Sequence, residues 1–202
     1  MKTIFIKAIY AGLLIGIAAI AYLSVDNSVL GATLFSFGLL MIVTSGYYLY
    51  TGKVGYLVKE KNYFKTILVT ILGNMVGTFF IAIIARLAAP HLISEAQVLV
   101  NYKLSHTLWM VLFLSVLCGM MMYLGVDGYR RIRNEFAKVI VVIFAVVIFI
   151  LAKFEHSIAN MVYVFMSFSF SFKAFGYLLV MIVGNGLGAT LLCYMDKVTE
   201  TK

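Results

Sequence analysis

Three ionisable residues stand where the surrounding sequence is almost wholly apolar. They are Lys153, Glu155 and His156, in the stretch Ala152-Lys153-Phe154-Glu155-His156-Ser157-Ile158-Ala159-Asn160-Met161. The run Val139 to Leu151 precedes them and more apolar residues follow. By position the stretch lies inside a bilayer, where an ionisable group costs at least ~2.5–3.5 kcal/mol on the insertion scale. Two explanations compete. One is a helix end whose charges snorkel to the interface; the other is a working site, favoured by the length of the apolar flanks. Histidine suits proton handling, because its ordinary pKa of about 6.5 leaves both charge states reachable. A metal site or membrane enzyme fits poorly. Glu155 and His156 are adjacent, so on a helix they do not face one ion, and the chain has no His-x-x-x-His or Glu-x-x-His set. We therefore expect no metal, no cofactor and no enzymatic activity.

The elements that must position these residues follow from composition. The 202 residues are 63% hydrophobic and 12% charged, against about 45–50% apolar and about 25% charged in soluble domains. The expectation is an all-α integral membrane protein, one transmembrane domain over 1–202. A spanning helix needs ~20 mostly apolar residues. The apolar segments fit six spans, at about 7–25, 28–50, 64–86, 104–125, 137–168 and 174–195. The first segment, Ile4 to Leu23, resembles a signal peptide but lacks a convincing small-residue cleavage site before Asp26, so it reads as a retained helix. Cys118 and Cys193 sit in apolar runs and read as small core residues. His91 and His106 fall near the outer surface and read as interface residues.

Charge distribution sets the topology. Twelve basic residues fall in the segments on one side: Lys2, Lys7, Lys53, Lys59, Lys61, Lys65, Arg130, Arg131, Arg133, Lys138, Lys197 and Lys202. Three fall on the other: Arg86, Lys103 and Lys173. By the positive-inside rule both termini are cytoplasmic, with the protein in the cell (inner) membrane. The same asymmetry accounts for the net charge of +8 without a nucleic-acid partner. Arg130-Arg131-Ile132-Arg133 reads as a topology anchor near anionic lipid.

The chain also repeats itself. Gly73-Asn74-Met75-Val76-Gly77-Thr78 is echoed by Gly184-Asn185-Gly186-Leu187-Gly188-Ala189, and Lys7 and Lys103 open the first and fourth spans. Two copies of three spans, about 1–100 and 101–202, are inverted in the membrane, which places a functional site near the midplane on discontinuous helices. The interruptions are Thr44 to Gly52 in the second span and Lys153 to Asn160 in the fifth. Irregular backbone at that depth is tolerated only when buried in protein or lining a cavity. Gly12 and Gly16, Gly73 and Gly77, and Gly184 and Gly188 are small-xxx-small pairs for close helix packing. Asn74 and Asn185 need buried hydrogen-bond partners. Either they tie interrupted backbone in place or they line a pore.

These residues carry a resemblance. Glu155-His156-Ser157-Ile158-Ala159-Asn160-Met161, the two Gly-Asn-x-x-Gly motifs, Leu49-Tyr50-Thr51-Gly52 and Lys103 together resemble the formate/nitrite transporter family, in order and over essentially the whole chain. The resemblance implies an aquaporin-like fold with a pore in each protomer of a homopentamer, whose central axis does not carry substrate. It implies channel-like transport of a small monovalent weak-acid anion such as formate, nitrite, lactate or hydrosulfide. His156 then stands for the pore histidine, with Thr51 hydrogen-bonded to it and Glu155 beside it. Leu39, Leu49 and Tyr50 fall at the inner hydrophobic slit, and Phe35 and Phe149 at the outer one. Lys7 and Lys103 match vestibule lysines, and Asn160 and Asn185 match pore-region amides. Two positions depart from the pattern. Lys153 replaces a residue that is usually small, bringing extra positive charge near the pore or a partner for Glu155. Gly119 replaces an Asn in the fourth span, where a polar tie is then missing.

The implied mechanism rests on desolvation. A bare anion crosses two dry apolar rings only at large cost, whereas a weak acid can cross in its neutral form. Lys103 outside and Lys7 inside would concentrate the anion, and His156 would act as proton relay or field-setter. The alternatives are a hydrosulfide channel of the same family and, in a different class, a non-transporting membrane scaffold or sensor.

Overall fold

The computed structural model describes residues 1–200, so Lys202 of the basic tally lies outside the described residues. Among those residues the chain is helical, without strands: α1 (Lys2–Leu23), α2 (Ser28–Thr44), α3 (Tyr50–Lys53), a 3-10 turn (Val54–Val58), α4 (Phe64–Ala88), α5 (Leu92–Leu104), α6 (Leu108–Arg131), α7 (Glu135–Leu151), α8 (Ser157–Ser167) and α9 (Phe172–Glu200). Four of these, α1, α4, α6 and α9, are long and apolar enough to cross a membrane; α2 and α8 are shorter apolar helices. The protein is thus an all-helical, multi-pass membrane protein.

Capping residues fix where several helices start. Asn27 accepts from the Val29 and Leu30 amides at 3.0 Å each, and Asn134 accepts from the Ala137 amide at 2.8 Å. Both satisfy amides that the first turn leaves without helical partners. α2 ends at Thr44 and α7 at Leu151, each followed by residues in a left-handed or irregular turn: Gly46 has φ +64° and Lys153 φ +56°. The chain re-enters helix at Tyr50 and at Ser157. Both interruptions are therefore narrower than Thr44 to Gly52 and Lys153 to Asn160, because Tyr50, Thr51 and Gly52 are already helical in the first and Ser157 to Asn160 in the second.

The two interruptions share one set of bonds at a shift of 107 residues. The Tyr47 amide donates to the Ile42 carbonyl at 3.0 Å and the Phe154 amide to that of Phe149 at 2.9 Å. The Tyr48 amide donates to the Lys7 carbonyl at 3.4 Å and the Glu155 amide to that of Leu114 at 3.3 Å. Lys7 therefore corresponds to Leu114, and the pairing of Lys7 with Lys103 suggested by the sequence does not hold. Lys103 instead lies in the last turn of α5, a helix in the stretch between the expected third and fourth spans. α5 turns Leu92, Ala96 and Val100 inward, one apolar residue per turn, and packs on α8.

Close packing of α1 on α4 and of α6 on α9 frames the centre. A Cβ on Gly77 would meet the Ile9 carbonyl oxygen at 2.2 Å, and one on Gly188 that of Val116 at 1.9 Å. Gly119 is the same kind of site, with the Asn185 carbonyl 2.1 Å from where a Cβ would stand. It marks a helix contact that admits only hydrogen there, not a missing polar tie.

Basic residues gather at one end. Lys197 donates to the Val58 carbonyl at 2.7 Å, Arg131 pairs with Asp196 at 2.7 Å, and the Arg130 guanidinium lies over the Tyr56 ring at 4.8 Å. At the other end Arg86 donates to the Met166 carbonyl and stacks on Phe168, where α8 ends. A cation there meets the negative end of the α8 dipole.

Candidate functional site

The site is built from the two places where the chain leaves helix. Each is held by one asparagine from a long helix. Asn74 of α4 accepts from the Tyr50 amide and donates to the Tyr48 and Ala8 carbonyls, all at 2.8 Å. Asn185 of α9 accepts from the Ser157 amide at 2.9 Å and donates to the Glu155 and Ser115 carbonyls at 2.8 Å. Both side chains are fully buried. Each amide thus uses its acceptor and one donor hydrogen on backbone that the interrupted helix would otherwise leave unpaired, and its second hydrogen on a carbonyl of an unbroken helix, Ala8 of α1 or Ser115 of α6. Neither lines a cavity wall described below, so their place is behind the site.

α3 and the start of α8 meet at Thr51 and His156, whose Oγ1 and Nε2 atoms lie 3.0 Å apart. The Ala159 amide donates to His156 Nδ1 at 3.1 Å, so the imidazole caps α8 with its own side chain. That bond leaves Nδ1 without a proton. The neutral ring then carries its hydrogen on Nε2 and donates it to Thr51. An imidazolium would need a hydrogen on Nδ1 as well, facing the Ala159 N–H, and so must give up the cap.

Glu155 is buried at 1% exposure beside the ring. Its Oε2 accepts from Lys103 Nζ at 2.6 Å and from Asn160 Nδ2 at 2.9 Å. Lys103 is therefore an ion-pair partner first, and Lys153 does not pair with Glu155. Lys153 is exposed, with its ammonium over the Tyr102 ring at 5.1 Å. α5, absent from the sequence reading, is what carries Lys103 and Tyr102 to the site.

On the Lys103 side the site opens into a cavity of about 310 Å³. Phe35, Phe149, His156, Asn160, Lys103 and Lys153 are among its walls. The Phe35 and Phe149 rings meet edge to face at 5.9 Å and 88°, and Phe149 lies 5.5 Å from the imidazole. The far cavity is tighter, about 40 Å³, between Ile42, Val43, Leu49, Gly52, Val126, Lys53 and Arg130. Its cations are Lys53 and Arg130, which in the sequence stand only among the basic residues of one side and, for Arg130, in the topology anchor. Lys7 is not among its walls; it is half-buried on α1 and its backbone carbonyl serves Tyr48. Tyr50 turns away, its hydroxyl donating to the Ile182 carbonyl at 2.7 Å. Leu39 is buried against the core and belongs to neither wall. His106 packs against Tyr102, ring centroids 4.7 Å apart.

Seven residues of the far wall recur in the near wall at the same shift of 107. Ile42, Val43, Gly46, Tyr47, Leu49, Gly52 and Lys53 become Phe149, Ile150, Lys153, Phe154, His156, Ala159 and Asn160. One cavity design occurs twice, and the chemistry lies in the substitutions between copies: glycine to lysine, leucine to histidine, lysine to asparagine. Among the described residues no cluster of His, Cys, Asp or Glu could hold a metal.

The profile described as formate/nitrite transporter matches residues 1–198. The chain is 25% identical over 180 residues to formate channel FocA of Haemophilus influenzae, covering 78% of this chain and 63% of that one. It is 27% identical over 184 residues to FocA of Escherichia coli K12, covering 80% and 64%. The match thus spans just under two thirds of the length of these curated relatives. Among solved structures, an FNT family ion channel superposes with a TM-score of 0.89 at 21% identity, over 100% of this chain and 91% of that one. A pentameric formate channel with formate bound superposes at 0.84 and 24% identity, over 100% and 98%. With the profile matched over nearly its whole length, the chain belongs to the formate/nitrite transporter family.

Proposed function

We propose that the protein conducts a small monovalent weak-acid anion of the formate and nitrite class across the cell (inner) membrane. The observation that carries this reading is the Thr51–His156 contact at 3.0 Å, between two apolar-walled cavities flanked by cations. Support comes from relatives described as formate channels and from the fold of a channel described as holding formate. On this reading α2 with α3, and α7 with α8, are the two interrupted members of six spans. The two halves are inverted copies, both termini are cytoplasmic, and five chains assemble as in the pentameric neighbour.

His156 acts here as a neutral field-setter. Its Nε2 hydrogen and the Thr51 hydroxyl are dipoles in a greasy passage, where they stabilise a weak acid without a fixed charge to trap it. A relay step would require the ring to release Ala159 and protonate at Nδ1, so it belongs to a different ring orientation.

Stopped-flow flux on purified protein in liposomes tests the reading with formate, nitrite, lactate, acetate and hydrosulfide. Formate and nitrite are expected to exceed protein-free vesicles by at least about tenfold, rising as pH falls. Hydrosulfide alone would move the substrate within the family. No flux for any of them would leave a scaffold or sensor.

A further inference from the structure

The outer cavity contains two lysines of unlike standing. Lys103 gives its ammonium to Glu155 at 2.6 Å, and Asn160 completes that carboxylate. The pair is close to neutral and offers an approaching anion little net field. Lys153 has no carboxylate partner among the described residues. Its ammonium rests over the face of Tyr102 at 5.1 Å, on the wall of the same cavity. An aromatic face holds a cation without cancelling its charge.

The backbone makes the presence of a lysine here notable. Lys153 sits at φ +56°, and the matching position in the other half is Gly46 at φ +64°. Glycine adopts that conformation freely and lysine does not. The recurring turn therefore favours glycine at this point, and a residue held against such a preference points to use of its side chain.

We infer that Lys153 is the anion-capturing residue of the outer mouth, the charge that gathers a small carboxylate or nitrite-like anion before it reaches Phe35, Phe149 and His156. The inference rests on the transport reading above and assigns its outer specificity to a residue other than Lys103. A capture charge raises the local concentration of substrate without changing the barrier at the constriction. It acts on half-saturation rather than on maximal flux, and salt screens it.

The test is formate flux in liposomes for wild type, Lys153→Gly and Lys153→Arg, with ionic strength raised from about 0.01 M to about 0.3 M, across which the screening length shrinks several-fold. Lys153→Gly copies the residue of the matching turn and is expected to melt at or above the wild-type temperature. It should raise the half-saturating formate concentration about fivefold at low salt, as loss of one nearby unit charge in a wet cavity implies, with maximal flux kept within about twofold. Most of the salt dependence of half-saturation should vanish with it, and Lys153→Arg should keep both properties. Wild-type half-saturation and salt dependence in Lys153→Gly would overturn the assignment, as would a lowered melting temperature with unchanged half-saturation. If wild type itself carries no formate, the transport reading falls and this inference with it; if wild type conducts and Lys153→Gly is indistinguishable, only the inference falls.

Discussion

Lys103→Met is expected to destabilise the protein by about 3–5 kcal/mol, the range for removing one partner of a buried ion pair. Glu155 is 1% exposed, and its Oε2 is held by Lys103 at 2.6 Å and Asn160 at 2.9 Å. Without the ammonium the carboxylate keeps a single amide donor in an apolar surrounding and must take up a proton or pull in water. Unfolding in mild detergent would show the loss as a lower melting temperature. The double variant Lys103→Met with Glu155→Gln removes both charges and should recover more than half of it, because a neutral amide leaves no orphaned ion. Equal losses in the single and double variants would mean that Lys103 acts through packing and not through Glu155. Since α5 brings Lys103 to the site, the single variant should also loosen α5 against α8, seen as faster amide exchange over Leu92–Leu104.

Asn185→Ala ranks second, at about 2–4 kcal/mol for three buried hydrogen bonds, allowing for the modest net worth of each inside a membrane. The truncation frees the Ser157 amide and the Glu155 and Ser115 carbonyls at once. Two of those groups flank His156, so the cap on Ala159 and the contact with Thr51 loosen with them. Lowered stability should therefore come with lowered formate flux per folded molecule. Asn74→Ala should match it in stability, since Asn74 holds three bonds at the other interruption. A large difference between the two variants would show that the two interruptions are not equally supported.

Much of this arrangement was legible because it rests on local residue identity. An apolar run broken by Lys153, Glu155 and His156 is visible in one dimension, and so is the echo of Gly73-Asn74 in Gly184-Asn185. What the sequence hid was partnership across distance. Lys103 and Glu155 are separated by fifty-two positions, and nothing in either neighbourhood announces their pairing. The pairing of Lys7 with Lys103 was drawn from charge alone: Lys7 corresponds to Leu114 because backbone bonds, not side chains, define the repeat. α5 was missed because its thirteen residues are too short to span and mix apolar residues with Ser94, Glu95, Gln97, Asn101 and Lys103; only Leu92, Ala96 and Val100 turn fully inward. Tyr50 resembles a slit residue by type, but its hydroxyl needs a buried acceptor and finds one at Ile182. Lys53 and Arg130 read in sequence only as topology charges, since their convergence on the smaller cavity depends on α3 folding back against α6.

The central claim is that two re-entrant segments join at Thr51 and His156 to form one passage for a weak acid. Formate uptake into liposomes across pH, by wild type, His156→Asn and Thr51→Val, tests it most directly. Wild-type flux should rise as pH falls. Each variant should remain folded yet lose at least about tenfold of the flux, as expected when a fixed dipole is withdrawn from a dry constriction, while keeping the rise as pH falls, because the permeating acid and not the ring takes up the proton. Flux equal to wild type in both variants would contradict it.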